Sequence, residues 1–496
     1  MVNGEVRLRY SGLIIFLARL FSVGTGLIFT LMVTRSLTSE MFGIYGNITD
    51  VLAYFTLASG IFPFWATRFV ARNHAGSLKT VLVSNLLIAV PSCIIYLVLL
   101  PTFLPMLQVS MDLMIVYLLV SVQIIENYVF LALESALQAK KPQTIGFSLL
   151  IHETTKVCAG YVLILVLGKG IFGAVLSIIL AIFLQIMFYL KTVLSTLREK
   201  IDWTHAKEWA KASPFNLYGM IGQKLADSIL ILLFIYGGKA ARGYYSAAFT
   251  IAGIVGYSSQ IGYALYPRLL SKNQPEDVTS SLKLVLMLAM PMAFGAAVMS
   301  DSFLTILNVE YSAATPILIL LSIDVLISCF SSVFGAVAFG AERLDAEAKI
   351  PWGKLIRSKL FIYMSLPYLQ AAASLPPAYY ALNYVTTTDI DAAFSVAAII
   401  LVIDLGLAII RYIIAKKSLR FQMPLKQIVK FVGAAAMMAL LLYVLPHPTR
   451  LTVTVALTLL GGCVYFVILA IIDSESKGVI KDVFKALSGK LSRKSA

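Results

Sequence analysis

Arg19, Lys156 and Lys224 each lie near the middle of a long apolar run. A cation at bilayer depth costs at least a few kcal/mol, so it is rare and faces a partner or a watery cavity. The chemistry open to these groups is anion binding. A guanidinium presents a fork of donors that matches phosphate or carboxylate oxygens in pairs, and an ammonium presents a compact point charge. Lys156 has Glu153 three residues before it and Lys224 has Asp227 three after it, so both can pair within a helix. Arg19 has Ile15, Phe16, Ser22 and Val23 at its i±3 and i±4 positions. Its counter-charge must come from Glu126, from Glu134 or from an anionic ligand.

The acids inside apolar runs are Glu126, Glu134, Glu153, Asp227, Asp324 and Asp404, with Asp50 nearer a run's end. A carboxylate at midplane is expensive unless it is paired, protonated or bound to an ion. Asp227, then Glu153 and Glu126, are therefore the candidate ion-coupling residues, with Na+ or H+ as the ion; the residues do not choose between these and no coupling. His152, beside Glu153, is of a type that titrates near neutral pH, although a lone buried histidine is more often simply hydrogen-bonded.

Long helices must position these groups. The chain is 59% hydrophobic and 13% charged, with a mean hydropathy of +0.87, whereas soluble domains carry roughly a quarter charged residues. About 20 apolar residues span a bilayer core, and 14 runs of that kind are present, near 11–34, 44–69, 80–101, 111–137, 144–167, 171–190, 213–236, 244–268, 282–307, 313–339, 357–372, 390–415, 425–445 and 451–472. They are continuous rather than alternating, which specifies helices and not a barrel. The expected fold is an all-α polytopic membrane protein of about 14 transmembrane helices. The eleventh run is the weakest, short and bearing Pro367, and Pro351, Pro376 and Pro377 interrupt its surroundings. The longest external loop is expected at 373–389.

Basic residues set the orientation. With the N-terminus in the cytoplasm, only Arg35, Lys169, Lys239, Arg242 and Arg450 of the 40 Lys and Arg fall outside, and apart from the three buried cations the rest fall inside. Both termini are thus expected in the cytoplasm, with the protein in the plasma membrane. The same asymmetry accounts for the net charge of +15 by topology, so nucleic acid is not an expected partner. Cys93, Cys158, Cys329 and Cys463 sit inside runs at no ligand-like spacing, so neither a metal site nor a disulfide framework is expected. No His/Glu metal spacing or glycine-rich phosphate loop occurs. No cofactor is expected.

An internal repeat divides the runs. Residues 43–70 align without gaps on the segment 200 residues later, matching Gly43 with Gly243, Tyr45 with Tyr245, Ser59 with Ser259, Ile61 with Ile261 and Arg68 with Arg268. Six spans separate the copies, which implies a parallel duplication: two pseudo-symmetric six-helix lobes, 1–212 and 213–420, plus two extra helices at 421–472. Transporters built from repeats place the substrate site at the repeat interface. Residues 473–496 put Val479, Ile480, Val483, Phe484, Leu487 and Leu491 on one helical face amid lysines, a basic amphipathic cytoplasmic tail suited to an anionic leaflet; a solvated tail with incidental apolar residues reads equally well.

The N-terminal residues carry a family resemblance. Arg19-Leu20-Phe21-Ser22-Val23-Gly24-Thr25-Gly26, then Val33-Thr34-Arg35-Ser36-Leu37-Thr38 and Phe42-Gly43-Ile44-Tyr45, resemble the start of polysaccharide-biosynthesis membrane proteins, and Arg68-Phe69-Val70-Ala71-Arg72 resembles the basic end of their second helix. That family, which includes O-antigen flippases, belongs to the multidrug/oligosaccharidyl-lipid/polysaccharide (MOP) exporter superfamily, with lipid II flippases and multidrug extruders. The resemblance implies a flippase that moves a polyprenyl-(pyro)phosphate-linked oligosaccharide from the cytoplasmic to the outer leaflet by alternating access. It implies membrane lipids as surroundings, a functional monomer, and glycosyltransferases or a polymerase nearby. Within this reading Arg19, Lys156 and Lys224 bind substrate, and Arg35, Arg68 and Arg268 are candidate gates, although an interfacial anchor is the commoner role for those three. The alternatives are a cation-coupled extruder of organic cations and, more distantly, a membrane glycosyltransferase or ligase. An enzyme of that kind needs a large external loop or an acidic surface motif, and only Asp389 and Asp391 are on offer, so a transporter and not an enzyme is expected.

Overall fold

The computed structural model describes residues 2–72, 74–194, 196–259, 274–341 and 358–478. Every regular element among them is helical. Lipid offers no partner to a free backbone N–H or C=O, so apolar runs of this length close their hydrogen bonds internally as helices. Among the described residues, eleven helices are long and apolar enough to cross a membrane, or up to 12 if one bent pair counts as a single span. The chain is a multi-span membrane protein.

The first helices are α1 (Val2–Ser36), α2 (Ser39–Phe55) and α3 (Ile61–Ala71). The last two are the bent pair, meeting at 53° across a 3-10 turn at Leu57–Gly60. The carbonyls freed at this break are bonded from neighbouring helices: Tyr128 donates to Phe55 at 3.2 Å and Asn85 to Ser59 at 2.9 Å. Next come α4 (Ser77–Met106), α5 (Met114–Lys140), α6 (Gln143–Gly160, continued by a π turn), α7 (Gly170–Val193), α8 (Trp203–Asp227), α9 (Ile229–Leu232) and α10 (Lys239–Gly256). The second half holds α11 (Pro275–Val298), α12 (Ser300–Leu307), α13 (Thr315–Ala341), α14 (Lys359–Tyr384), α15 (Asp389–Ser418), α16 (Leu425–Val444) and α17 (Leu451–Ile472).

Two expectations are corrected here. The stretch 373–389 is not a long loop. Helix α14 runs on to Tyr384 with Pro367, Pro376 and Pro377 inside it, because a proline removes one hydrogen bond and kinks a helix whose other groups stay paired. Arg242 does not lie in a loop either. Gly238 turns the chain with φ of 104° and α10 starts at the next residue, which carries Arg242 into the helix, where it is 6% exposed. The apolar face expected at 479–491 lies outside the described residues.

By packing, the described residues form two compact units. Unit 1 takes those up to Ser246 together with Met364–Val396. Its core joins Trp65, Val81, Ala132 and Trp209 on α3, α4, α5 and α8 to Leu133, Leu137, Ile186 and Tyr189 on α5 and α7. Unit 2 takes those from Ala247 to Ala341, Ser358–Tyr363, and those from Ala397 on. There the extra helices α16 and α17 pack on α11 through Leu286, Met290, Phe431, Met438, Leu442 and Leu469, and the Tyr465 hydroxyl donates to the Met287 carbonyl at 2.9 Å.

Candidate functional site

Unit 1 carries two charged clusters. The first lies where α1 packs on α6. Glu153, buried on α6, accepts from the Lys156 ammonium at 2.7 Å, from the Ser22 hydroxyl at 2.9 Å and from the Thr25 hydroxyl at 2.6 Å. The Lys156 ammonium also stands 5.7 Å from the centre of the Phe29 ring, a cation–π distance. Ser22, Thr25 and Phe29 share one face of α1 by helical spacing, so the turn-by-turn pattern of that helix builds the cradle.

Polar groups continue this cluster into α5 and α7. The charge of Arg19, on the exposed side of α1, acts on Glu134, which in turn acts on Tyr189. Ser148 donates to the Tyr189 hydroxyl at 2.7 Å, and Gln185 donates to Ser148 at 3.2 Å. Gln185 also bonds His152, whose Nδ1 is buried without a partner among the described residues. Of the two acids expected to serve Arg19, the structure puts Glu134 within its electrostatic reach. Glu126 is 7% exposed, and its Oε2 has no partner among the described residues.

The second cluster joins α2, α8 and α10. Lys224 contacts Asp227 at 2.8 Å, and Gln223 donates to the same carboxylate at 2.9 Å. Tyr54 on α2 donates to the Lys224 carbonyl at 3.0 Å. Asp50, one turn before Tyr54, takes a two-pronged contact from Arg242, with Nε to Oδ2 at 3.0 Å and Nη2 to Oδ1 at 3.1 Å. The charges of Lys224 and Asp227 act on Asp50 as well, so two cations and two acids form one group.

The structure therefore gives each of the three midplane cations an acid in reach, two of them on its own helix. Lys156 and Lys224 take the intrahelical acids that their three-residue spacing offers, Glu153 at 2.7 Å and Asp227 at 2.8 Å, so any anion binding there must proceed by exchange with a carboxylate. Among the described residues no group of three His, Cys, Asp or Glu stands close enough to hold a metal ion. Of the gate candidates, Arg35 closes α1 in its last turn. Arg68 bonds its own helix at the Phe64 carbonyl and lies 4.2 Å from that residue's ring centre. Arg268 lies outside the described residues. The Asp50–Arg242 contact was missed because its partners are 192 positions apart; the one hint is that Arg242 adjoins a glycine aligned with Gly43.

Outside the spanning helices, Asp473 caps the end of α17. Its burial raises the carboxyl, but hydrogen bonds from Lys430 at 2.8 Å and from Ser476 outweigh this and hold it below the ordinary value.

No protein-family profile and no curated protein sequence matches this chain. Solved structures do. The inward closed conformation of the lipid II flippase MurJ matches with a TM-score of 0.69 over 93% of this chain and 98% of that one, at 15% identity. An inward-facing multidrug resistance MATE family transporter matches at 0.57 over 80% and 95%, with 13% identity. A MATE protein in the straight conformation matches at 0.53 over 83% and 96%, with 12% identity. The fold is one that these solved transporters share. It places this chain beside transporters in architecture, while identities this low leave the cargo to the chain's own residues.

Proposed function

We propose that this protein is a flippase that carries a polyprenyl-(pyro)phosphate-linked oligosaccharide from the cytoplasmic to the outer leaflet of the plasma membrane by alternating access. The observation that carries this reading is an apolar cavity of about 350 Å³ in unit 2, walled by α10, α11, α12, α16 and α17. Its lining includes Ile254, Leu288, Met292, Phe303, Met438 and Phe466 and offers almost no polar surface. Two walls are the helices lying beyond the 12 of the repeat, so they add a greasy surface that a water-soluble cargo would not need. Flexible methionines suit an irregular hydrocarbon chain, and a polyprenyl tail is such a chain. The neighbour named a lipid II flippase supports the same cargo class.

The headgroup then falls to unit 1. Arg19 offers a bidentate site for a phosphate, and Lys156 and Lys224 exchange their carboxylates for phosphate oxygens at modest cost, since each exchange replaces one charge-assisted pair by another. In this reading both termini are cytoplasmic, the lobes are residues 1–212 and 213–420, and the protein works as a monomer near the enzymes that build its cargo. Coupling to Na+ or H+ is part of the proposal.

An extruder of organic cations is the second reading. Glu126 favours it, as a buried carboxyl with a free oxygen among the described residues, and so does the MATE architecture. Proteoliposomes separate the two. A fluorescently tagged polyprenyl-pyrophosphoryl oligosaccharide in the outer leaflet should become protected from a membrane-impermeant quencher only when the protein is present. Ethidium accumulation without movement of the tagged lipid would replace the flippase by the extruder.

A further inference from the structure

Gln223 lies near the middle of the apolar span Asn216–Gly237, yet it is exposed. An amide facing lipid would strand its donors and its acceptor in hydrocarbon. The lipid side of α8 is elsewhere: Ile221 and Leu225, both exposed, project from the opposite face by helical spacing. Gln223 instead stands between two packed flanks. On one, α14 sets Met364 against Gly219 and Tyr368 against Gly222. On the other, Tyr54 of α2 donates to the Lys224 carbonyl at 3.0 Å, and Met220 reaches Gly60. The face between these flanks carries Gln223, Asp227 and, two turns earlier, Asn216, whose Nδ2 is buried without a partner among the described residues. All of these residues belong to unit 1. A polar face at this depth borders water inside the protein.

Its chemistry is not that of a simple anion site. Lys224 and Gln223 both donate to Asp227, the ammonium to Oδ2 at 2.8 Å and the amide to Oδ1 at 2.9 Å. The Asp227 side chain is 38% exposed, and a carboxylate open to water repels a phosphate. It accepts from a hydroxyl, however. Sugars present hydroxyls in neighbouring pairs, each able to donate and to accept, and a carboxylate beside an amide supplies both complements. The exchange at Lys224 adds a demand of its own. When the ammonium leaves Asp227 for a phosphate oxygen, Oδ2 loses a donor. The sugar bonded to that phosphate is the part of the cargo nearest to replace it.

Resting on the flippase reading, we propose that Gln223 and Asp227 select the cargo by hydrogen bonds to a pair of neighbouring hydroxyl groups on the sugar joined to its phosphate. Lys224 anchors the phosphate, and the two side chains next to it discriminate between sugars. A headgroup without those hydroxyls leaves the carboxylate and the amide unpaired once Lys224 has turned away, which is how a hydrogen-bonding site rejects an analogue.

Equilibrium binding to the full chain in lipid nanodiscs tests this with polyprenyl pyrophosphate, the same lipid carrying a hexose (glucose, galactose or mannose), and each hexose lipid with its hydroxyls methylated. The wild type should bind at least one hexose lipid about tenfold more tightly than the bare lipid, the worth of one hydrogen bond to a charged group. Its methylated form should bind no better than the bare lipid. Gln223→Leu and Asp227→Ala should bring the ratio of hexose-lipid to bare-lipid affinity close to one, whereas Lys224→Met should weaken both by a similar factor. Equal binding of hydroxylated and methylated lipids by the wild type would overturn the proposal without any variant. So would a sugar preference that survives in Gln223→Leu and Asp227→Ala. Binding of the bare lipid with no preference for any hexose would sink this inference and leave the flippase reading standing. Binding of none of the lipids would remove the flippase reading, and this inference with it.

Discussion

Gly43 on α2 and Gly243 on α10 press against each other reciprocally. A Cβ at Gly43 would strike the Lys239 carbonyl and come within 3.0 Å of the Gly243 nitrogen, and a Cβ at Gly243 would strike the Ser39 carbonyl and come within 3.2 Å of the Gly43 nitrogen. Each partner sits 200 positions from its counterpart, the offset of the internal repeat. A contact in which i meets j while the equivalent of i meets the equivalent of j is what a two-fold axis through it generates. Small residues at a crossing let helix backbones approach this closely in membranes. Gly43→Ala and Gly243→Ala should each destabilise the protein by about 1–3 kcal/mol through overpacking. Gly24→Ala, whose Cβ would meet nothing within 4 Å, is the control. Thermal unfolding in detergent decides it, and equal midpoints for the three variants would mean that the crossing yields freely.

The crossing also explains the Asp50–Arg242 pair. Arg242 precedes Gly243, so the close approach of α2 and α10 brings its guanidinium onto Asp50, with side-chain exposures of 7% and 15%. Removing one partner of a buried ion pair strands the other. Arg242→Ala should therefore cost about 3–5 kcal/mol, and Asp50→Ala/Arg242→Ala together should cost less than the two single losses added. A double-mutant cycle in chemical denaturation measures this. Strict additivity would mean that Lys224, rather than Arg242, holds Asp50.

What the sequence discloses follows from range. Helices are legible because lipid demands unbroken apolar runs, and Lys156–Glu153 and Lys224–Asp227 are legible because a three-residue spacing puts side chains on one helical face. The Thr25 and Ser22 hydroxyls on Glu153 are not legible, since they depend on how α1 seats against α6. The prolines of α14 mislead, because a breaker in water is tolerated where neighbouring helices exclude solvent.

The Glu153 cradle makes a graded prediction. Glu153→Gln leaves the Lys156 ammonium without its carboxylate in a half-dry site, so protein yield and thermal stability should fall. Lys156→Met added to it should recover most of the loss, because two apolar or neutral groups replace a stranded charge. If the double variant is no more stable than Glu153→Gln alone, the Ser22 and Thr25 hydrogen bonds, and not the ion pair, are what Glu153 contributes.

Asp473 predicts an acid limit for the extra helices. Its carboxyl is held below the ordinary aspartate value of 3.8 by Lys430 and Ser476 against the opposing effect of burial. A depressed folded-state value adds stability that is fully present above the unfolded value and is lost as pH falls through the folded one. Melting temperature should therefore drop on acidification below about pH 4, and Asp473→Asn should flatten that drop while lowering stability at neutral pH. A wild type and variant whose acid limbs coincide would assign acid sensitivity to other carboxyl groups.

Arg19 separates a binding role from a bridging one. If its guanidinium serves the headgroup, Arg19→Ala should abolish movement of tagged lipid-linked oligosaccharide in proteoliposomes at normal protein levels. Arg19→Lys should keep a fraction, since an ammonium supplies charge without the two-pronged fork. Glu134→Gln should then leave transport largely intact or raise it, because the carboxylate competes with phosphate for the same donors. If Arg19 instead bridges α1 to α5, Glu134→Gln and Arg19→Ala should lower the melting temperature to a similar extent and impair transport together. Full transport by Arg19→Ala removes this residue from the mechanism altogether and leaves Lys156 and Lys224 as the headgroup's cations.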